Sequence, residues 1–141
     1  MNKEKQAAAY LREARLTLKS ARTIYESSAS GEGMWAQVVK NAYDALKQAA
    51  SAGIAHREQR IPRSHTAKIK RFIDLYDPGE ELSENIFHWL GMRSDSQYVD
   101  IRGDEIVIPH ELFNQEDAAK ILKDSEKVIE LIEKEIERSE P

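Results

Sequence analysis

Two long stretches of helical-period apolar residues, separated only by a glycine-broken turn, restrict this chain more than any other feature. Over residues 3–28 the stripe runs Ala7, Tyr10 with Leu11, Ala14, Leu18, Ala21, and Ile24 with Tyr25. Over residues 34–56 it runs Trp35, Val38 with Val39, Ala42, Ala45 with Leu46, and Ala49. Steps of three and four place each set on one face of an α-helix. Ser30-Gly31-Glu32-Gly33 breaks the first helix and leaves the second little choice but to return alongside it. The expected core is an antiparallel helix pair. The alanines of the second helix would let a neighbour approach closely.

The rest of the chain continues this pattern. Ile61-Pro62 interrupts, and a third helix is expected over 65–76, with Ile69, Phe72, Ile73 and Tyr76 inward and Ser64 or Thr66 near its start as a hydroxyl cap. Asp77-Pro78-Gly79-Glu80 resembles a helix start: a capping aspartate, a proline at the first position and an acid at the third. A fourth helix over about 79–95 follows from it. Val99, Ile101, Ile106 and Ile108 alternate with polar residues around Gly103, which predicts a short hairpin or extended loop between Tyr98 and Pro109. Asn114-Gln115-Glu116-Asp117 should cap a last helix ending near Arg138. The expected fold is all-α: a single domain over residues 1–141, an antiparallel up-and-down bundle of about five helices with that extended segment before the last.

Composition narrows function. A chain of 141 residues, 40% hydrophobic and 33% charged, can bury a sizeable core under a well-solvated surface. It has no cysteine, which excludes disulfides, thiolate metal sites and a cysteine nucleophile. No apolar run approaches a membrane span, and Met1-Asn2-Lys3-Glu4-Lys5 leads into a charged amphipathic stretch and not a signal segment. The expectation is a cytoplasmic protein without a membrane partner. A net charge of −4 gives no bulk attraction to nucleic acid, so any basic surface must be local.

The most pointed local feature is Arg93-Ser94-Asp95-Ser96-Gln97-Tyr98 at the expected end of the fourth helix. Leu82, Ile86, Leu90 and Arg93 share one helical face. A cation on an inward stripe needs a partner, because an unpaired buried charge is expensive. Arg93 is therefore either a structural ion pair or a group aimed into a cleft or interface. Asp44 lies one step off the alanine stripe of the second helix, with Gln37, Asn41 and Gln48 on its flank, and is a plausible charge-assisted partner for Arg93.

Residues 56–71 carry Arg57, Arg60, Arg63, Lys68, Lys70 and Arg71 against Glu58 alone. Such a cluster can neutralise phosphates, with Arg60 and Arg63 as candidate contacts. The alternative is a solvated basic face. The last helix is the acidic counterpart: Glu126, Glu130, Glu133 and Glu137 recur at helical spacing, and a solvated face is the expectation there. No Glu-x-x-His occurs, and none of the four histidines is three or four residues from another. The sequence thus gives no reason to expect a metal. Glycine-rich phosphate loops and nucleophile elbows are absent, and no organic cofactor is indicated.

Taken in order, several segments resemble the HEPN domain superfamily, small helical proteins of prokaryotic defence and stress systems. They are Tyr10-Leu11-x-x-Ala14, Ala42-Tyr43-Asp44-Ala45-Leu46-Lys47, His65 opening the third helix, Arg93 with Tyr98, and Glu116-Asp117-Ala118 opening the last. The resemblance implies that Arg93 holds a phosphate. Members that cleave RNA follow that arginine with a polar residue and then a histidine. Here Ser94 is the polar residue, but the histidine positions hold Tyr98, Val99 and Asp100. Tyrosine, with an ordinary pKa of about 10, is a poor general base at neutral pH. The resemblance further implies a homodimer with two Arg93 regions facing a shared cleft, and a small nucleotidyltransferase as the companion of a toxin–antitoxin type system. Three functions follow as expectations. The first is a binding module for RNA, nucleotide or such a nucleotidyltransferase, no longer an enzyme. The second is a metal-independent endoribonuclease using Arg93 with Tyr98 or His88. The third is a purely structural helical dimer.

Overall fold

The computed structural model describes residues 2–57, 60–93 and 97–139. Its elements run α1 (Lys3–Ala29), α2 (Trp35–His56), α3 (His65–Tyr76), α4 (Glu80–Met92), β1 (Asp100–Arg102), β2 (Glu105–Val107), α5 (Pro109–Leu112) and α6 (Gln115–Ser139). The all-α bundle is as expected. Its sixth helix is the single turn α5, which the sequence did not announce.

Everything is arranged around α2. Fourteen of its 22 residues are buried, including all seven alanines. A helix apolar nearly all round must be enclosed on several sides. Here α1, α3, α5 and α6 all pack against it. Packing is tight at Gly53, where an added Cβ would lie 2.6 Å from Ile132 Cδ1 and 2.9 Å from the Tyr76 ring. The Tyr76 hydroxyl donates to the Gly53 carbonyl at 2.6 Å. Three turns earlier on the same face, the buried Ser125 hydroxyl donates to the Ala42 carbonyl at 2.8 Å and ties α6 to α2.

Local chemistry sets the helix ends. Asn2 caps α1 by accepting from Lys5 N–H, and Ser64 caps α3 by accepting from Ala67 N–H. Asn114 and Asp117 cap α6 reciprocally, each side chain accepting from the other's backbone N–H at 2.9–3.0 Å. The Asp77-Pro78-Gly79-Glu80 segment corrects the sequence reading. Asp77 does not cap α4; it terminates α3 in a left-handed conformation (φ 42°), its N–H donating to the Ile73 carbonyl. Gly79, at φ 103°, takes the cap position of α4 without a side-chain bond. Two turns of chain with positive φ fit between the helices because glycine supplies one of them. The far end of α4 also stops earlier than expected, at Met92, with Arg93 as its cap residue.

Two polar features fix α6. Asp124 is only 3% exposed, and its carboxylate accepts from the Trp89 indole N–H at 2.9 Å and from Asn85 at 3.4 Å. Its acidic row is also not the uniformly solvated face expected. Glu130 and Glu137 are exposed, but Arg15 of α1 bridges Glu126 and Glu133, and Arg22 reaches Glu126 at 2.9 Å. Burial alone would raise the Glu126 pKa, but hydrogen bonds from Arg22 and Arg15 outweigh it and leave that pKa lowered.

Residues 100–107 form the expected hairpin. Ile101 faces Ile106 and Arg102 faces Glu105 across a two-residue turn at Gly103 (φ 63°) and Asp104.

Two outcomes follow. Trp89→Phe leaves the buried Asp124 with one long bond and should cost about 2 kcal/mol or more in urea unfolding; a loss within error would contradict the role given to that bond. Arg15→Ala should cost about 1 kcal/mol at pH 7, since the network is half exposed. A carboxylate with a lowered folded pKa stabilises above the ordinary carboxylate range and ceases to do so as pH falls through its folded value. The gap in thermal midpoint between wild type and Arg15→Ala should therefore narrow from pH 7 toward pH 3.

Candidate functional site

Several polar side chains of α2 stand on the flank where α3 begins. Tyr43, Asp44, Lys47 and Gln48 lie there within little more than one turn, the first and third spaced by four residues. The start of α3 brings His65 and, one turn on, Lys68. The Tyr43 and His65 rings lie 6.2 Å apart between centroids. The end of α4 brings Arg93, close enough for its charge to act on both Tyr43 and His65. Lys47 Nζ stands 3.7 Å from Asp44 Oδ1. Three cations thus meet one carboxylate around a phenol and an imidazole.

The electrostatics of this cluster have definite signs. Burial pushes the Tyr43 phenol up to about 12, with Asp44 adding to the rise and Arg93 opposing it. It is a neutral hydroxyl at any physiological pH. Burial is also the main reason that the His65 pKa is lowered, reinforced by the charges of Lys47, Arg93 and Lys68 against the opposite pull of Asp44. Its ring is neutral at pH 7, since the unperturbed value is about 6.5. Lys68 is lowered by burial and then by Lys47. Burial leads each shift, and the neighbouring cations add to it at His65 and Lys68 and oppose it at Tyr43. Three polar atoms in or beside the cluster, Tyr43 Oη, His65 Nδ1 and Gln48 Oε1, are buried without a hydrogen-bond partner among the described residues. Orphaned polar groups of this kind are uncommon in native interiors.

The sequence candidates divide around this cluster. Arg93 and Asp44 come together in it. Ser94 lies outside the described residues. Arg60 and Arg63 are exposed on the segment leading into α3, and no hydrogen bond or ion pair to the described residues holds either. Tyr98 is 61% exposed, and nothing described links it to Arg93. His88 is exposed, with its ring edge against Trp89 at 4.8 Å. Within the basic stretch, Arg57 serves the fold: it pairs with Glu135 at 2.9 Å, bonds the Leu75 carbonyl and lies 4.0 Å over the Tyr76 ring. Lys68 alone of that stretch joins the cluster through described interactions. Among the described residues no group of three metal-ligating side chains converges.

Sequence reasoning passed over Tyr43, Lys47, His65 and Lys68 as a unit. The legible signal was phase. Tyr43 and Lys47 share a helical face, as do His65 and Lys68, and an antiparallel packing brings such faces together only when the order of neighbours around α2 is known.

The family model for the HEPN domain matches residues 7–136, nearly the whole chain. No curated protein matches the chain.

In a histidine-resolved NMR titration His65 should titrate below the ordinary value of about 6.5. Lys47→Ala should move that midpoint upward, because a repelling charge is removed. An unshifted midpoint in the variant would separate Lys47 from the cluster.

Proposed function

The chain belongs to the HEPN domain family, and from that premise we propose that it is a homodimeric module that binds RNA through the phosphates, with the α2–α3–α4 cluster as the phosphate site. HEPN domains are in general nuclease or RNA-binding modules of defence and toxin systems. The observation that carries the reading is the meeting of Lys47, Lys68 and Arg93 around the neutral, partnerless hydroxyl of Tyr43. An anion is what such a group lacks. A bound phosphate would relieve the mutual repulsion of the cations. Arg93 is the anchor, as its guanidinium can meet two phosphate oxygens at once. Arg60 and Arg63, exposed beside the start of α3, extend the basic surface along which a strand would run. A small nucleotidyltransferase, as a companion in a toxin–antitoxin type system, remains the partner this reading would accommodate on the same basic surface.

One observation supports a second reading, metal-independent cleavage. His65, neutral at pH 7, lies within the electrostatic reach of Arg93 although no histidine follows that arginine in the chain. A neutral imidazole is a far better base at neutral pH than a tyrosine phenol. In this reading His65 takes the proton of a ribose 2′-hydroxyl as its oxygen attacks the adjacent phosphorus. The bond to the 5′-oxygen breaks, and that oxygen is protonated from solvent. The products are a 2′,3′-cyclic phosphate and a 5′-hydroxyl end. Arg93 would carry the charge that builds on the phosphoryl oxygens.

Fluorescence anisotropy with labelled single-stranded RNA in chelator tests both readings. Wild type should bind with a salt-dependent affinity, and Arg93→Ala, shown folded by circular dichroism, should bind at least about fivefold more weakly, for a loss near 1 kcal/mol. The slope of log affinity against log salt should drop by about 0.7 for that single charge. A folded Arg93→Ala protein with wild-type affinity overturns the phosphate site. Cyclic-phosphate ends formed by wild type and abolished by His65→Ala would establish cleavage; binding without such ends leaves a binding module.

A further inference from the structure

The β1–β2 hairpin is built with its apolar side outward. Ile101 and Ile106 face each other across the ladder and are 72% and 63% exposed, and Val99, two residues before Ile101 and so on the same side, is 64% exposed. The opposite side carries Asp100, Arg102 and Glu105 beside the half-buried Val107, with Arg102 Nε donating to Asp100 Oδ2 at 3.2 Å. Neither strand packs extensively on a helix of the bundle. A two-stranded hairpin alone is marginal in water, and one displaying its apolar side has no reason to persist uncovered.

The free edge of β1 says what covers it. In a two-residue hairpin the residues flanking the turn, Arg102 and Glu105, exchange the ladder bonds, so the next pair, Ile101 and Ile106, points its N–H and carbonyl groups outward. Consistent with this, the Ile101 N–H donates not to β2 but to the Asp100 carboxylate at 2.9 Å. An antiparallel strand centred opposite Ile101 would find that N–H and carbonyl. If the strand is a second β1, Ile101 meets Ile101, Asp100 meets Arg102 and Arg102 meets Asp100. Both charge pairs are opposite in sign, and the two Ile101–Ile106 pairs join into one four-isoleucine side. The same operation on β2 puts Glu105 against Val107 and matches nothing. The edge of β1 is self-complementary in hydrogen bonds, charge and apolar pattern.

We propose that β1 pairs antiparallel with β1 of a second copy about a two-fold axis at Ile101, making a four-stranded sheet across the dimer. The inference rests on the homodimer reading above and assigns its contact. Six residue-to-residue steps lead from Arg93 to Val99, a span of at most about 20 Å, so the pairing draws both Arg93 clusters toward the same junction.

The test is the mass of the full-length protein in solution over a concentration series, by sedimentation or light scattering. Ile101→Pro removes the outward N–H without touching the ladder bonds of the hairpin, and should convert dimer to monomer with helix content unchanged. Arg102→Asp places Asp against Asp in the pairing, and Asp100→Arg places Arg against Arg. Each alone should be monomeric, and an equimolar mixture should form a heterodimer. Wild type that stays monomeric to about 100 μM, roughly a −5 kcal/mol bound on association, overturns both the dimer and the pairing. Dimeric wild type with dimeric Ile101→Pro overturns the pairing and leaves the dimer standing. Charge variants that fail to associate when mixed also overturn it.

Discussion

The enclosure of α2 is the constraint from which the rest follows. Its buried alanines permit backbones to pack against it on several sides, and where they do, no polar side chain can be accommodated without a partner. The chain meets that restriction in two ways. Ser51 and Ser125 satisfy themselves on backbone carbonyls, and Tyr43, Asp44, Lys47 and Gln48 stand on the flank where α3 begins. Helix ends also supply unpaired backbone groups and short, well-fixed side chains. The cluster of Tyr43, Asp44, Lys47, His65, Lys68 and Arg93 is thus a by-product of how the core is closed, and that is why it lies at a junction of three helices and not along a groove.

Position matters for such a cluster as much as composition does. Arg93 follows Trp89 by one helical turn, so both share a face of α4. The indole of Trp89 is locked to the buried carboxylate of Asp124. That bond, with the Asn85 bond to the same carboxylate and the burial of Ile86 and Trp89, holds the face of α4 from which Arg93 projects against the core. The acids on the outer face of α6 do the complementary work on α1, holding the pair in register through Arg15 and Arg22. Charged residues therefore play two separate parts here. The exposed networks fasten helices together and each contributes little. The half-buried cations around His65 stand close enough for their charges to lower its pKa, with Asp44 pulling the other way.

Much of the fold was legible because its signals are local. The stripes of α1, α2 and α6, the hydroxyl cap at Ser64 and the glycine turn at Gly103 each depend on residues within a few positions. The misassigned segment, Asp77 to Glu80, shows the limit. A left-handed residue closing one helix and an aspartate opening the next use the same amino acid, and only the tertiary path decides between them. Glu126 and Glu133 were equally ambiguous, since a solvated glutamate and one facing an arginine on another helix have identical local sequence. The site was half legible for the same reason. Arg93 and Asp44 could be paired by residue type, but His65 and Lys68 join them only through the placement of α3 against α2, which no spacing along the chain encodes.

The hairpin inverts the rule that built the bundle, and the inversion is informative. In α1, α2 and α6 the apolar period points inward and the polar residues face out. In β1 and β2 the period is equally clean, yet both sides are largely exposed, Ile101 and Ile106 on one and Asp100, Arg102 and Glu105 with Val107 on the other. One side of the strands is wholly apolar, and the other carries three charged residues with Val107. A strand meant to stay single would not leave its outward N–H and carbonyl beside an isoleucine instead of a lysine or proline, the usual protections of an open edge. Asp100, whose carboxylate occupies the Ile101 N–H, acts as a temporary occupant of that edge. It is also the residue whose charge a second β1 would meet with Arg102. The same side chain thus shields the edge in one copy and is drawn off it by a second, and an edge guarded in that way favours its own kind over other strands.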